Sequence, residues 1–99
     1  MKADRTRAMQ DRADIFKAMG HPARLAMLIG LGRKARCVCE LREMVGLDLS
    51  TVSKHLTVLR YAGLVDAERR GKRVFYSLRC PCTLDFLDCV ERAIAERAR

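Results

Sequence analysis

The sequence predicts a mostly α-helical domain of five helices and one small β-hairpin in a chain of 99 residues. Three observations predict it. Apolar residues recur at helical spacing in five stretches set apart by Gly or Pro. One stretch, Leu64 to Leu78, alternates instead and folds back around an Arg69-Arg70-Gly71-Lys72 tip. Residues that favour helix caps stand where the helical stretches begin and end.

Asp4 suits the cap of a first helix over residues 4–19, whose stripe of Ala8, the Arg12 stem, Ile15, Phe16 and Met19 ends at Gly20. His21 before Pro22 reads as an N-cap with proline at the first helical position, opening a second helix over 22–31. That helix is apolar nearly all round, through Leu25, Ala26, Met27, Leu28 and Ile29, so it belongs at the centre. A third helix over 38–45 gathers Leu41, Met44 and Val45 on one face and stops at Gly46. After a short turn, a fourth helix over 50–62 takes Ser50 as N-cap and Gly63 as the residue that turns left-handed. Two helices joined so closely make a helix-turn-helix. Leu64–Ala67 and Arg73–Leu78 then pair as a wing over about 64–79, with Val74, Tyr76 and Leu78 inward. Thr83 suits the cap of a last helix over 83–97, where Leu84, Leu87, Val90 or Glu91, Ile94 and Ala98 fall near a heptad seam. Residues 1–99 thus read as one winged helix-turn-helix domain. So short a chain has little with which to cover the stripes of its first and last helices. A symmetric homodimer through those two helices covers both and sets two recognition helices at successive major grooves.

In the fourth helix Val52, Leu56 and Leu59 share the apolar face, which leaves Ser50, Thr51, Ser53, Lys54, His55, Thr57 and Arg60 for base edges and phosphates. Arg69, Arg70, Lys72 and Arg73 at the wing suit a phosphate or minor-groove contact. The net charge of +8 is unevenly spread: residues 1–36 carry +6 and 60–79 carry +4, while 37–59 and 80–99 carry −1 each. Double-stranded DNA is the expected partner, bound in a salt-dependent way. No Ser/His/Asp set, phosphate loop or paired-acid motif can be assembled, so catalysis is not expected. Met1 to Arg5 opens without an apolar run and no stretch approaches bilayer length, so a cytoplasmic protein with no membrane contact is expected.

The remaining chemistry lies in five thiols, Cys37, Cys39, Cys80, Cys82 and Cys89. An odd count in a reducing compartment points to metal or redox chemistry rather than a disulfide scaffold, and soft thiolates select soft ions, zinc or cadmium among them. In a regular helix side chains two apart diverge by about 200°. Sulfurs that share an ion must approach within about 4 Å. Cys37 and Cys39 are therefore expected to grip one ion only by unwinding the first turn of the third helix, which would shift the recognition helix and oppose DNA binding. Cys80 and Cys82 flank Pro81 in extended chain and can face one side, whereas Cys82 and Cys89 stand about 10 Å apart if both lie in the last helix.

Cys37-Val38-Cys39, opening the third helix, resembles the Cys-Val-Cys run of arsenical members of the arsenic-repressor (ArsR/SmtB) family of winged-helix metal sensors. Gly20 to Arg24 resembles that family's His-Pro-x-Arg opening, Ser50 to Leu59 its recognition helix, and Gly71 to Tyr76 its wing, so the likeness spans roughly residues 10 to 80. The resemblance implies a repressor that leaves operator DNA when As(III) or Sb(III) binds its cysteines. Where some members place a third cysteine three residues after the second, this chain has Arg42. The third thiol would then come from Cys80, Cys82 or Cys89, of the same chain or its dimer mate, or the C-terminal thiols form a site of their own. The last helix offers Asp85, Asp88 and Glu91 but no histidine, so the family's histidine-and-carboxylate zinc site does not carry over. Two other functions fit the residues: a thiol-redox or polysulfide-sensing repressor of the same fold, and a constitutive DNA-binding module whose Cys-x-Cys pairs hold structural zinc.

Overall fold

A computed structural model describes residues 2–97. The elements run α1 (Ala3–Met19), α2 (Pro22–Leu31), β1 (Arg36–Cys37), α3 (Val38–Val45), α4 (Leu49–Tyr61), β2 (Val65–Arg70), β3 (Arg73–Leu78) and α5 (Cys82–Arg97). Five helices and a wing are present, and α3 and α4 form the helix-turn-helix.

The second helix is central, as its composition predicts: Met27, Leu28 and Leu31 are fully buried. They meet Leu41 of α3, Val52, Leu56 and Leu59 of α4, Val65 of β2 and Leu87 of α5 in one cluster. His21 caps α2, its Nδ1 accepting the Ala23 N–H at 3.0 Å, with Pro22 at the first helical position. Gly46 ends α3 in the left-handed region at φ 68°, its N–H donating to the Arg42 carbonyl at 2.9 Å. At the end of α4 the Gly63 N–H donates to Arg60 O and the Leu64 N–H to Leu59 O, both at 3.0 Å, a Schellman closure that needs the φ of 84° at Gly63.

Several element starts differ from expectation. Lys2 rather than Asp4 flanks α1, and Asp4 sits in the first turn, where its charge still favours the helix dipole. Asp48, not Ser50, caps α4: its backbone is extended, and its carboxylate accepts from Ser50 Oγ at 2.7 Å and from Thr51 Oγ1. Helix α5 begins at Cys82, leaving Thr83 buried in the first turn. Ala98, placed on the seam by its spacing, lies outside the described residues.

The hairpin is part of a three-stranded sheet in the order β1-β3-β2. β1 has two residues, with Arg36 opposite Tyr76 and Cys37 opposite Phe75. Central β3 is consequently half-buried from Val74 to Leu78 rather than alternating in and out. β2 pairs with β3 from Val65–Leu78 to Arg70–Arg73 and leaves Gly71 and Lys72 as a two-residue tip, with Gly71 at φ 64°.

Candidate DNA-reading face and thiol pairs

On α4, Val52, Leu56 and Leu59 are fully buried, and Ser50, Ser53, Lys54, Thr57 and Arg60 lie exposed. Thr51 is half-buried. The hydroxyls of this face are partly committed. Ser50 and Thr51 donate to Asp48, while Thr57 Oγ1 donates to the Ser53 carbonyl at 2.9 Å. Those hydrogen bonds, Thr51's first and Ser50's second, hold the Asp48 carboxyl below its ordinary pKa of 3.8. Sequence reasoning missed Asp48, although an Asp two and three residues ahead of Ser and Thr was the available signal.

His55, expected on the DNA face, instead packs back on α2. Its ring centre lies 4.4 Å from that of His21, and its Nδ1 is 3.2 Å from a guanidinium nitrogen of Arg24. Arg24 in turn donates through Nε to the Ala18 carbonyl and through NH2 to Lys17 O at 3.4 Å. One arginine thus joins the end of α1, the start of α2 and the middle of α4. Desolvation, then the neighbouring His21 and Arg24 charges, pushes the His55 pKa below its ordinary 6.5. A helix position decides direction only within about a quarter turn, and the short loop after α1 brings a second imidazole within reach.

The four wing cations divide into two kinds. Arg69 Nε donates to Gly71 O at 3.1 Å; Arg70 pairs with Glu68 at 3.3 Å and lies over the Phe75 ring, 4.7 Å from its centre. Lys72 and Arg73 are exposed and make no ion pair among the described residues. With Lys54 and Arg60 they are the cations free to meet phosphate.

The thiols fall into two joined pairs and one lone residue. Cys37 and Cys39 form a disulfide, as do Cys80 and Cys82, with Cα atoms 5.3 Å apart in each pair. Cys89 is free and exposed on α5. The expectation that Cys37 and Cys39 diverge, and meet only when the helix unwinds, is overturned. Cys37 is not helical: it is the N-cap, with extended φ −75° and ψ 158°, so its side chain turns back toward Cys39 while α3 stays intact. Its N–H donates to Glu40 Oε1 at 3.1 Å, and Glu40 also pairs with Arg36 at 3.4 Å. Cys37 is 97% buried, as its 3% exposure shows, and Cys39 is open. Above them a cleft of about 340 Å³ is walled by Leu49 and Ser53 of α4 and by Lys72, Arg73 and Val74 of the wing.

Cys82 opens on a different hollow. It lines an apolar hollow of about 250 Å³ with Ile15, Phe16 and Met19 of α1, Leu64, and Phe86 of α5. Phe16 and Phe86 meet edge to face at 5.6 Å. Among the described residues no three His, Cys, Asp or Glu side chains gather as an ion site, so the five thiols are not brought together within one protomer. Among them, too, no helix is long and apolar enough to cross a membrane.

Residues 21–67 match the sequence profile of the bacterial regulatory protein, arsR family. An uncharacterised HTH-type transcriptional regulator of Mycobacterium tuberculosis, Rv0081, is 39% identical over 85 residues, 85% of this chain and 75% of that protein. The crystal structure of Rv0081 superimposes with a TM-score of 0.83 at 36% identity, covering 92% of each chain. A transcriptional repressor SmtB homolog of Synechocystis is 39% identical over 69 residues, 70% of this chain and 52% of that one. The solution structure of a homodimeric winged helix-turn-helix DNA-binding domain, Mb0332 of Mycobacterium bovis, matches with a TM-score of 0.87 at 26% identity, over 99% of this chain and 91% of that one.

Proposed function

Because the chain belongs to the arsR family of bacterial regulatory proteins, and is a winged-helix DNA-binding transcriptional repressor rather than an enzyme, we propose that its operator binding is switched at the Cys37/Cys39 dithiol. The inducer in this reading is a thiophilic metalloid, As(III) or Sb(III), that engages the reduced pair; zinc and cadmium are the divalent-metal alternatives. The repressor acts in the cytoplasm as a homodimer through α1 and α5. Each protomer sets α4 in a major groove and its wing against the backbone, through Ser50, Thr51, Ser53, Lys54, Thr57, Arg60, Lys72 and Arg73.

The observation that carries this reading is a shared wall. The cleft over the two sulfurs is closed by Ser53 of the recognition helix and by Lys72 and Arg73 of the wing. A change of occupant at the sulfurs therefore acts on the DNA face directly. Helix unwinding is not needed, since the sulfurs already meet above an intact α3. Linkage then makes inducer and operator weaken each other's binding by the same factor, commonly about 5- to 150-fold. Cys80, Cys82 and Cys89 would serve a second site, reached through the α1/α5 interface.

A second reading, thiol-redox sensing, is favoured by the closure of both Cys-x-Cys pairs as disulfides within the folded chain. One titration separates the two. Fluorescently labelled operator DNA is bound by reduced protein, then arsenite, antimonite, zinc, cadmium or peroxide is added, and the series is repeated on Cys37→Ser and Cys82→Ser. Release by arsenite that is lost in Cys37→Ser supports the metalloid inducer. Release by peroxide alone transfers the role to oxidation.

A further inference from the structure

The two sulfurs of the α3 pair are unequal. Cys39 is open to solvent at the cleft, and Cys37 is buried beneath it. The opposite wall carries Lys72 and Arg73, which make no ion pair among the described residues, and no acid lines this cleft; on the other side of Cys39, Glu40 is engaged by Arg36 and by the Cys37 N–H, and Glu43 stands beside Arg42 along a separate hollow. We infer that this cleft admits an anionic low-molecular-weight disulfide of the peptide class, its carboxylates held by Lys72 and Arg73, and that this is how the reduced dithiol is oxidised. The inference rests on the dithiol being the effector site and names a second class of ligand for it.

The chemistry follows from the exposure. The Cys39 thiolate attacks one sulfur of the incoming disulfide; a mixed disulfide forms at Cys39, the incoming S–S bond breaks, and one small thiolate leaves with the electron pair and takes a proton from water. The Cys37 thiolate then attacks the Cys39 sulfur, forming the Cys37–Cys39 bond and expelling the second small thiolate. Two electrons have passed from the protein to the small disulfide, and the product is the bond present in the structure. The order is fixed because a bulky reagent cannot reach Cys37. The pair at Cys80 and Cys82 lacks this selectivity: its neighbour Arg79 is taken up by Asp66 at 2.8 Å, and Asp85 stands in the first turn of α5.

The test uses the reduced 99-residue protein and two probes, glutathione disulfide, which is anionic, and cystamine, which is dicationic. Reaction is stopped with N-ethylmaleimide and read by mass after trypsin, which separates residues 37–42 from 80–92. At 37–42 glutathione disulfide is expected to outpace cystamine by about tenfold relative to 80–92. That preference should shrink at about 0.5 M salt and in the Lys72→Gln/Arg73→Gln variant. In Cys37→Ser the glutathione adduct should be trapped on Cys39. Equal rates for the two probes at 37–42, or an adduct that forms as fast on Cys37 in Cys39→Ser, overturns the inference. None of these readouts involves DNA, so arsenite failing to release operator from the same preparation would remove the metalloid function without touching the charge selectivity.

Discussion

The carboxylate of Asp48 holds two hydroxyls that the sequence alone would send to DNA, those of Ser50 and Thr51. Asp48→Ala should therefore lower stability by about 1 kcal/mol, read by urea melts, since the first turn of the recognition helix loses the hydrogen bonds of both hydroxyls to one carboxylate. Asp48 and Ser50 are both good cap formers two residues apart. The choice between them was not legible, because it depends on which backbone is extended and not on side-chain type. His55 gives a pH prediction. Its pKa is lowered in the fold by burial and by the charges of His21 and Arg24, so the folded state prefers the neutral ring. That contribution is complete above the ordinary value of 6.5 and is lost as pH falls below it toward the depressed folded value. Thermal melts at neutral and mildly acidic pH should show wild type losing more stability on acidification than His55→Gln. Equal losses would remove the role given to the histidine pair.

Helix α4 shows how far periodicity reaches. Val52, Leu56 and Leu59 were recognisable as core because an i, i+4, i+7 stripe can be buried in only one way, and all three are fully covered. Leu56→Ala should cost about 2–5 kcal/mol, measured by chemical denaturation. Gly63→Ala should cost about 1–2 kcal/mol for a conformational reason, because an added Cβ would meet nothing closer than an Arg79 nitrogen at 3.8 Å while φ stays at 84°. β1 was invisible to the same approach, since two residues have no period. The sheet it completes explains why β3 fails to alternate. The wing also sorts its cations in a way that composition cannot. Lys72→Ala should weaken operator binding uniformly and reduce the salt slope by about 1. Arg70→Ala acts first on the fold, through lost contacts with Glu68 and Phe75.

At the scale of the molecule, the radius of gyration is 15.0 Å, where a compact chain of this length has about 13 Å. On α1 and α5, Phe16 58%, Phe86 39%, Val90 38% and Ile94 43% stay exposed. Faces so apolar in a chain so small call for a cover, which the homodimer proposed above would supply. Ile94→Glu is expected to give monomers by sedimentation and to lose most operator affinity, since a monomer engages one half-site. The architecture was readable because each helix carries its own stripe and stop. The thiol geometry was not, because a rule for regular helices was applied to Cys37, which stands just outside one.

The register that sets Cys37 opposite Phe75 has one more result. Phe75 lies in mid-wing beneath Arg70, so a single rung of backbone separates the sulfur from the arm proposed to meet DNA. In the proposed switch, sulfur and arm form one lever without a joint, and deuterium uptake at the Phe75 amide should change between the reduced and the disulfide state, even when no DNA is present.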